Sequence, residues 1–253
     1  MTRAAALAVL ALAATAHAES PAGLPQVEIV GNRDVSTEAL RAAATAVLHG
    51  FSRPRSDDAI ARASLAVSAY YWDHGYIAAK VTTMEYVPAR DTVRITIADE
   101  GEVFALGQIT IDGDLAGFDP ASLAIRPGMV FSRSMIARDR QALTEHYLDQ
   151  GYAYANVLPL TKVDRSARTV AITFQIDRGK PARFGAIALV GAHREPEAWL
   201  RGELTVATGQ PYSFAALEQS RRQLEALGVA VSITQNRGAT DDAVDVTFEV
   251  GER

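Results

Sequence analysis

Apolar and polar residues follow a pattern that occurs three times along this 253-residue chain, at a spacing of about 75 to 80 residues. Each copy opens with a short segment in which apolar and polar residues alternate before a glycine turn. These segments cover residues 27–32, 108–114 and 186–192. A period of two is typical of a strand with one buried face. Each copy is therefore predicted to begin with a strand and a turn.

A first helix is predicted after each opening strand. The start signals are Ser36 and Thr37 in the first copy, Asp119-Pro120 in the second and Glu195-Pro196 in the third. Proline suits the first helical position because the N–H group that it lacks would have no partner within the helix.

A second helix is clearest in the middle copy, where apolar residues such as Leu143 and Tyr147 recur at helical spacing. Gly151 follows at the position where helices commonly end in the left-handed conformation. Gly75 and Gly228 occupy the same position in the other two copies. The second helix is therefore predicted in all three copies.

Two strands close each copy, and the last strand has the most regular alternation. Its apolar residues are Val93, Ile95 and Ile97 in the first copy, Val170, Ile172, Phe174 and Ile176 in the second, and Val244, Val246, Phe248 and Val250 in the third. The order of elements predicts an α+β fold of three tandem β-α-α-β-β domains, each a three-stranded mixed sheet covered by two helices.

The predicted domains cover residues 19–102, 103–181 and 182–253. Only a few residues separate one copy from the next, as between Gly101 and Phe104. Joints this short predict a semi-rigid string whose neighbouring domains touch.

The first 18 residues have the pattern of a signal peptide. Arg3 precedes an apolar run over residues 4–14, and Ala16-His17-Ala18 supplies small residues for cleavage after Ala18. The alternative is an uncleaved membrane anchor, but the run is shorter than the roughly 20 residues that a spanning helix needs. We therefore expect an exported chain.

Composition and motifs argue against several classes of function. The formal net charge is −5 and the basic residues are scattered, whereas nucleic-acid binding requires concentrated Lys and Arg. Cysteine is absent, and the histidines stand far apart without a ligand pair. There is also no phosphate-binding loop and no nucleophile motif. We expect no catalytic site, metal, cofactor, small-molecule substrate or nucleic acid.

The repeat resembles the POTRA (polypeptide-transport-associated) domain. The likeness rests on the strand-glycine openings and on Phe131-Ser132, Tyr147, Gly151-Tyr152 and Ala155-Asn156-Val157 with their counterparts in the other copies. POTRA domains precede the β-barrel in the outer-membrane assembly factor superfamily. Three copies are most similar to the periplasmic part of the translocation-and-assembly-module barrel proteins, with the main barrel-assembly proteins next.

One departure from that superfamily is the missing barrel sequence after Arg253. A membrane barrel needs at least about eight strands of roughly ten residues. We therefore expect that this chain does not insert as a pore. It is either a free periplasmic accessory or the amino-terminal part of a longer protein.

The resemblance also implies that the last strand of each domain lies at the sheet centre and that the preceding strand lies near an edge. Pro88 and Pro159 fit this arrangement, because proline is confined to edges or ends of sheets. An exposed edge can accept an extended client as a further strand. The alternative is that neighbouring repeats, proline or charge blunt these edges. The candidate edges cover residues 80–87, 155–163 and 229–235. The candidate peptide-binding residues on them are Lys80, Val81, Thr83, Val157, Leu158, Leu160, Val231 and Ile233.

These features favour a periplasmic polypeptide-binding or docking module in outer-membrane protein assembly or secretion, associated with the outer membrane of a Gram-negative bacterium. Its expected partners are unfolded outer-membrane or secreted polypeptides and an outer-membrane β-barrel assembly complex. A second hypothesis is a structural adaptor that braces an envelope complex without unfolded clients. A third is a periplasmic hydrolase whose site the sequence conceals.

Overall fold

The computed structural model describes residues 23–191 and 197–252. The predicted signal peptide, with its cleavage after Ala18, and the start signal Glu195-Pro196 lie outside the described residues. The described residues form two compact units, one of residues 23–70 with 79–100 and one of residues 71–78 with 101–191 and 197–252.

The first unit contains the sheet of the first repeat. Its elements are β1 (Gln26–Val30), α1 (Thr37–His49), α2 (Asp57–Asp73, which runs into the second unit), β2 (Lys80–Val87) and β3 (Thr92–Asp99). The strand order is β1-β3-β2, with β1 parallel and β2 antiparallel to β3. Helix α1 begins where the Ser36 hydroxyl accepts a hydrogen bond from the Ala39 N–H group. Its apolar stripe of Leu40, Ala44 and Leu48 is completely buried.

The second unit contains the sheets of the second and third repeats. The second repeat consists of β4 (Ala105–Asp112), α3 (Arg133–Asp149), β5 (Asn156–Asp164) and β6 (Thr169–Asp177), in the strand order β4-β6-β5. The third consists of β7 (Arg183–Val190), α4 (Glu197–Gly202), α5 (Phe214–Ala226), β8 (Val229–Arg237) and β9 (Ala243–Glu252), in the order β7-β9-β8.

The predicted α+β fold with three small mixed sheets is confirmed. The last strand of each repeat is central, which explains its regular alternation, because a central strand is paired on both edges and buries one face against helices. In β6, the side chains of Val170, Ile172 and Phe174 are almost completely buried. Burial of each such side chain stabilises the fold by about 1.5–3 kcal/mol.

The first helix of the second repeat is shorter than predicted. The expected helix from Asp119 is a single 3₁₀ turn over Pro120–Ser122, even though the Asp119 carboxylate accepts from the Ala121 N–H group as a helix cap would. Pro127 follows soon after, and the residue before a proline is disfavoured in the α conformation.

A carboxylate from the second helix contacts the segment that follows this turn. The buried Asp139 of α3 accepts hydrogen bonds from the N–H groups of Ala124 at 2.8 Å and Ile125 at 2.9 Å. These two N–H groups therefore bond to a side chain of α3.

The second and third repeats are in direct contact. The Ala182 N–H group donates to the Gly151 carbonyl at 2.7 Å, and the Tyr154 hydroxyl donates to the Ala243 carbonyl at 2.8 Å. The Asp149 carboxylate, just before Gly151, accepts from the Ala215 N–H group at 2.5 Å. Asp149 thus caps the first turn of α5 in the next repeat.

Candidate functional site

The eight candidate residues lie on three edge strands. Lys80, Val81 and Thr83 lie in β2, Val157, Leu158 and Leu160 in β5, and Val231 and Ile233 in β8. Each of these strands pairs with the central strand of its sheet on one side only. Among the described residues, the other side of each strand makes no backbone hydrogen bond to a further strand. The candidates therefore lie on the edge strands of three different sheets.

Strand β5 presents apolar side chains to solvent. Val157 is 1% exposed and packs in the core of the second repeat, whereas Leu158 and Leu160 are 49% and 51% exposed. Side chains alternate between the faces of a strand, so Leu158, Leu160 and Lys162 share the open face of this sheet. Two of the three β5 candidates are thus available to a partner, and Val157 serves the core.

The backbone of β5 is regular along the whole strand. It pairs with β6 without a register shift from Asn156 to Asp164. Pro159 lacks an N–H group, so it must occupy a position where the ladder to β6 requires none. Thr161 and Val163 have the same parity as Pro159. We infer that their N–H and C=O groups point to the free edge.

Strand β2 has a less regular edge but a groove beside it. Register shifts occur at Lys80 and Val81, and irregularities of this kind disturb pairing with a further strand. Further along, a groove of about 300 Å³ lies between the start of α2 and β2, lined by Asp57, Ile60, Met84, Glu85 and Tyr86. The three candidate residues of β2 end at Thr83, but the predicted edge runs on to Val87 and so includes Met84, Glu85 and Tyr86 of this groove.

An ion pair stabilises the hairpin at the end of β2. The Arg55 guanidinium contacts both carboxylate oxygens of Asp91, at 2.6 and 2.5 Å, and the Tyr86 hydroxyl donates to one of them at 2.7 Å. The bond from Arg55, followed by that from Tyr86, lowers the pKa of Asp91 to about 2. Asp91 is therefore ionised at any ordinary pH and holds the turn between β2 and β3.

Strand β8 is the most polar of the three edges on its open face. Val231 and Ile233 are half-buried and pack against the core of the third repeat. The exposed residues between them and beyond are Ser232 and Thr234, and the Ser232 hydroxyl bonds to Glu249 at 3.1 Å. The β8 candidates therefore contribute mainly to packing, unlike Leu158 and Leu160.

Metal sites and membrane helices were also sought in the structure. Within residues 23–191 and 197–252, no group of three or more His, Cys, Asp or Glu residues could hold a metal ion. None of the helices in that part of the chain has the length and apolar character needed to cross a membrane.

Comparison with known families identifies the repeat. The POTRA model, described as surface antigen variable number repeat, matches residues 106–179 and 182–253, which together are more than half of the chain. The chain belongs to the POTRA family. The resemblance drawn from the strand-glycine and helix-glycine pattern is thus confirmed.

Two relatives are outer membrane protein assembly factors named BamA. The protein of Nitratidesulfovibrio vulgaris is 24% identical over 207 residues, which are 78% of this chain and 26% of that protein. That of Buchnera aphidicola is 23% identical over 193 residues, covering 73% and 31%. The chain spans less than a third of the length of either relative.

A solved structure supports the same fold. The crystal structure of Haemophilus influenzae BamA POTRA3-5 matches with a TM-score of 0.72 at 24% identity, covering 91% of this chain and 96% of that one. These matches carry the name of the main barrel-assembly protein, the second of the two resemblances drawn from the sequence.

Proposed function

We propose that this chain is a periplasmic module of outer-membrane protein assembly that binds extended polypeptides by β-strand addition, chiefly along β5. The observation that carries the proposal is the β5 edge itself. It is regular over nine residues, is unpaired on one side among the described residues, and is flanked by the exposed Leu158 and Leu160. Membership of the POTRA family and the names of the relatives support a role in outer-membrane protein assembly.

The proposed binding mode needs little sequence specificity in the client. An added strand would bond to the outward C=O and N–H groups around Thr161 and Val163, while Leu158 and Leu160 cover its apolar side chains. Outer-membrane proteins consist of strands with alternating apolar residues, which match such a face. Each backbone bond contributes only about 0.5–1.5 kcal/mol net. Binding is therefore weak and reversible, as suits a holding step before assembly.

Substitution at Thr161 tests this binding mode. Thr161→Pro removes an outward N–H group and obstructs an incoming strand, whereas Thr161→Ala keeps the backbone donor and serves as the matched control. We expect Thr161→Pro to weaken binding of a labelled alternating-pattern peptide by at least about 10-fold, measured by fluorescence anisotropy. Equal affinities of the two variants, with unchanged circular dichroism, would refute strand addition at β5.

Crosslinking in intact cells tests the client class. A photoreactive residue replaces Leu160, and a second version replaces Gln175, an exposed residue of the central strand β6. We expect position 160 to capture outer-membrane polypeptides or subunits of an assembly complex, and position 175 to capture much less. Equal capture at both positions would contradict an edge-directed mode.

The structural adaptor is a second candidate function, because direct hydrogen bonds connect the second repeat to the third. Bonds from Ala182, Tyr154 and Ala215 join them, as a spacer would require. One stoichiometric partner captured at every labelled position, without unfolded clients, would favour the adaptor over the polypeptide-binding module.

A further inference from the structure

The groove in the first repeat runs along the free edge of β2. It is lined by Asp57 and Ile60 from the start of α2 and by Met84, Glu85 and Tyr86 of β2. Beyond the register shifts near its start, β2 pairs regularly with β3 as far as its end. The regular part of this edge therefore lies beside the groove.

The backbone groups of Met84 and Tyr86 point to the free edge. The Gln26 N–H group donates to the carbonyl of Asp91, directly before β3, at 2.8 Å. Because the backbone groups of successive residues in a strand point alternately to its two sides, the odd-numbered residues of β3 bond to β1. Met84 and Tyr86 stand opposite odd-numbered residues. Their own N–H and C=O groups therefore point away from β3.

The side chains of the same two residues lie on the helix-covered face of the sheet. They stand opposite Ile95 and Val93, which are completely buried, and residues opposite each other in an antiparallel pair share a face. Met84 is nevertheless 46% exposed, so this face is open at the edge. A strand added here would bond to the backbone of Met84 and Tyr86 and place alternate side chains in the groove.

Both charged residues that line the groove are acidic. Asp57 is exposed, and its carboxylate makes no ion pair among the described residues. The Arg94 guanidinium lies 3.1 Å from the Glu85 carboxylate and 2.9 Å from that of Glu28. A single arginine does not neutralise two carboxylates, so the groove keeps a negative charge.

The ring of Tyr86 also favours a cation. Its hydroxyl donates to the Asp91 carboxylate at 2.7 Å, which holds the ring at the groove, and aromatic faces attract lysine and arginine. Arg55 contacts both carboxylate oxygens of Asp91, at 2.6 and 2.5 Å. Because its charge is balanced by this partner, Arg55 does not supply the cation that the groove attracts.

We propose that the β2 edge binds an extended segment of another polypeptide that carries lysine or arginine among apolar residues. The inference rests on strand addition, as the proposed function does, but it concerns a different sheet from that of β5 and adds a charge requirement to the client. A second copy of this chain would set two acidic grooves against each other. Anionic lipid and nucleic acid would be repelled by the same charge.

Three labelled peptides serve as probes, in which valine alternates with lysine, with glutamate or with threonine. Their binding to the full chain is measured by fluorescence anisotropy at low and at physiological salt. We expect the lysine peptide to bind at least about 10-fold more tightly than the glutamate peptide at low salt. The difference should shrink as salt is raised, because salt screens exposed charges.

A pair of charge-removing substitutions tests the acidic groove. Asp57→Asn combined with Glu85→Gln should weaken binding of the lysine peptide by at least about 5-fold and leave the threonine peptide unchanged. The matched control combines Asp241→Asn with Glu249→Gln, which removes two exposed carboxylates from the third repeat. It changes the net charge equally and should have no effect on either peptide.

A proline substitution tests the backbone contact. Met84→Pro removes an outward N–H group and leaves the bonds to β3 in place, as Pro159 does in β5. The lysine peptide should bind at least about 10-fold more weakly to Met84→Pro than to Met84→Ala. Thr161→Pro on β5 should not change its affinity. Unchanged amide spectra of β3 show that each variant is folded.

Four outcomes would overturn the inference. Equal affinities of the lysine and glutamate peptides would remove the charge requirement, and equal weakening by both charge-removing pairs would show that only net charge acts. Weakening by Thr161→Pro and not by Met84→Pro would move the basic segment to β5 and leave the proposed function standing. A dimer of the full chain that Met84→Pro dissociates would identify a second copy as the occupant. If neither proline variant weakens any peptide, strand addition itself fails at both edges.

Discussion

The buried carboxylate of Glu100 is the strongest test of how the first repeat is held together. Glu100 is 1% exposed and accepts hydrogen bonds from the N–H groups of Arg33 at 2.8 Å, Asp34 at 2.7 Å and Val35 at 3.2 Å. These bonds connect the end of β3 to the turn that follows β1. Glu100→Gln keeps the size of the side chain but removes its charge, and it places an NH₂ group against one of the N–H donors.

The expected cost of Glu100→Gln follows from the surroundings of the three donors. Arg33 and Asp34 are exposed, so water can replace the carboxylate there and each loss costs about 0.5–1.5 kcal/mol. The Val35 N–H group is buried and costs about 1–3 kcal/mol if left without an acceptor. One carboxylate oxygen serves Arg33 and Asp34 and the other serves Val35, and the Gln oxygen still accepts on one side. The expected cost is therefore about 1–3 kcal/mol, a substantial fraction of the 5–15 kcal/mol that stabilises a typical domain.

Urea unfolding and hydrogen exchange together measure this effect. We expect a lower unfolding midpoint and faster exchange of the amides of residues 33–35, with little change in the third repeat. Glu85→Gln is the control, because Glu85 is exposed on β2 and should change stability by less than about 1 kcal/mol. If Glu100→Gln leaves both the midpoint and the exchange rates unchanged, the three bonds do not stabilise the turn.

Three further predictions concern the joint, the core and the pH dependence. Asp149→Ala should destabilise α5 by about 0.5–2 kcal/mol, seen as faster exchange in its first turn, and Asp149→Asn should retain part of the cap; identical exchange in all three forms would contradict the cap. Leu143→Ala should cost about 2–5 kcal/mol in urea unfolding, while Leu158→Ala should be near neutral, and equal losses would contradict the burial difference. Because the pKa of Asp91 is lowered to about 2, its contribution is complete above the ordinary carboxyl pKa near 4 and is lost as pH falls through about 2. Asp91→Asn should therefore lower the urea midpoint at pH 6 more than at pH 2, and a difference that does not shrink on acidification would contradict this account.

Much of the fold could be predicted from the chain because it depends on neighbours in sequence. The alternation of Val170, Ile172 and Phe174 requires a strand with one buried face, and the last strand of each repeat is the central one. The glycine after the second helix was predicted at Gly151, which has a φ of +93°. The edge positions of β2, β5 and β8 followed from the family resemblance.

The candidate site was predictable only in part. The alternation of side chains along β5 places Val157 and Leu158 on opposite faces of the strand. The local sequence does not show which of these two faces the helix covers. The contact between α3 and the segment after the 3₁₀ turn was also hidden, because Asp139 lies 14 residues beyond Ile125, from whose N–H group its carboxylate accepts. A local start signal at Asp119 was present and still did not produce a helix.

The sequence by itself determined the repeat, the strand and helix periods and the glycine turns, because these follow from short-range sterics and from the spacing of apolar residues. Only the tertiary structure decided which polar groups meet across long separations. Glu100 reaches Arg33 across 67 residues, and Asp149 reaches Ala215 across 66. Such pairs depend on which donors and acceptors remain unsatisfied once the elements have packed, and that is a property of the assembled fold.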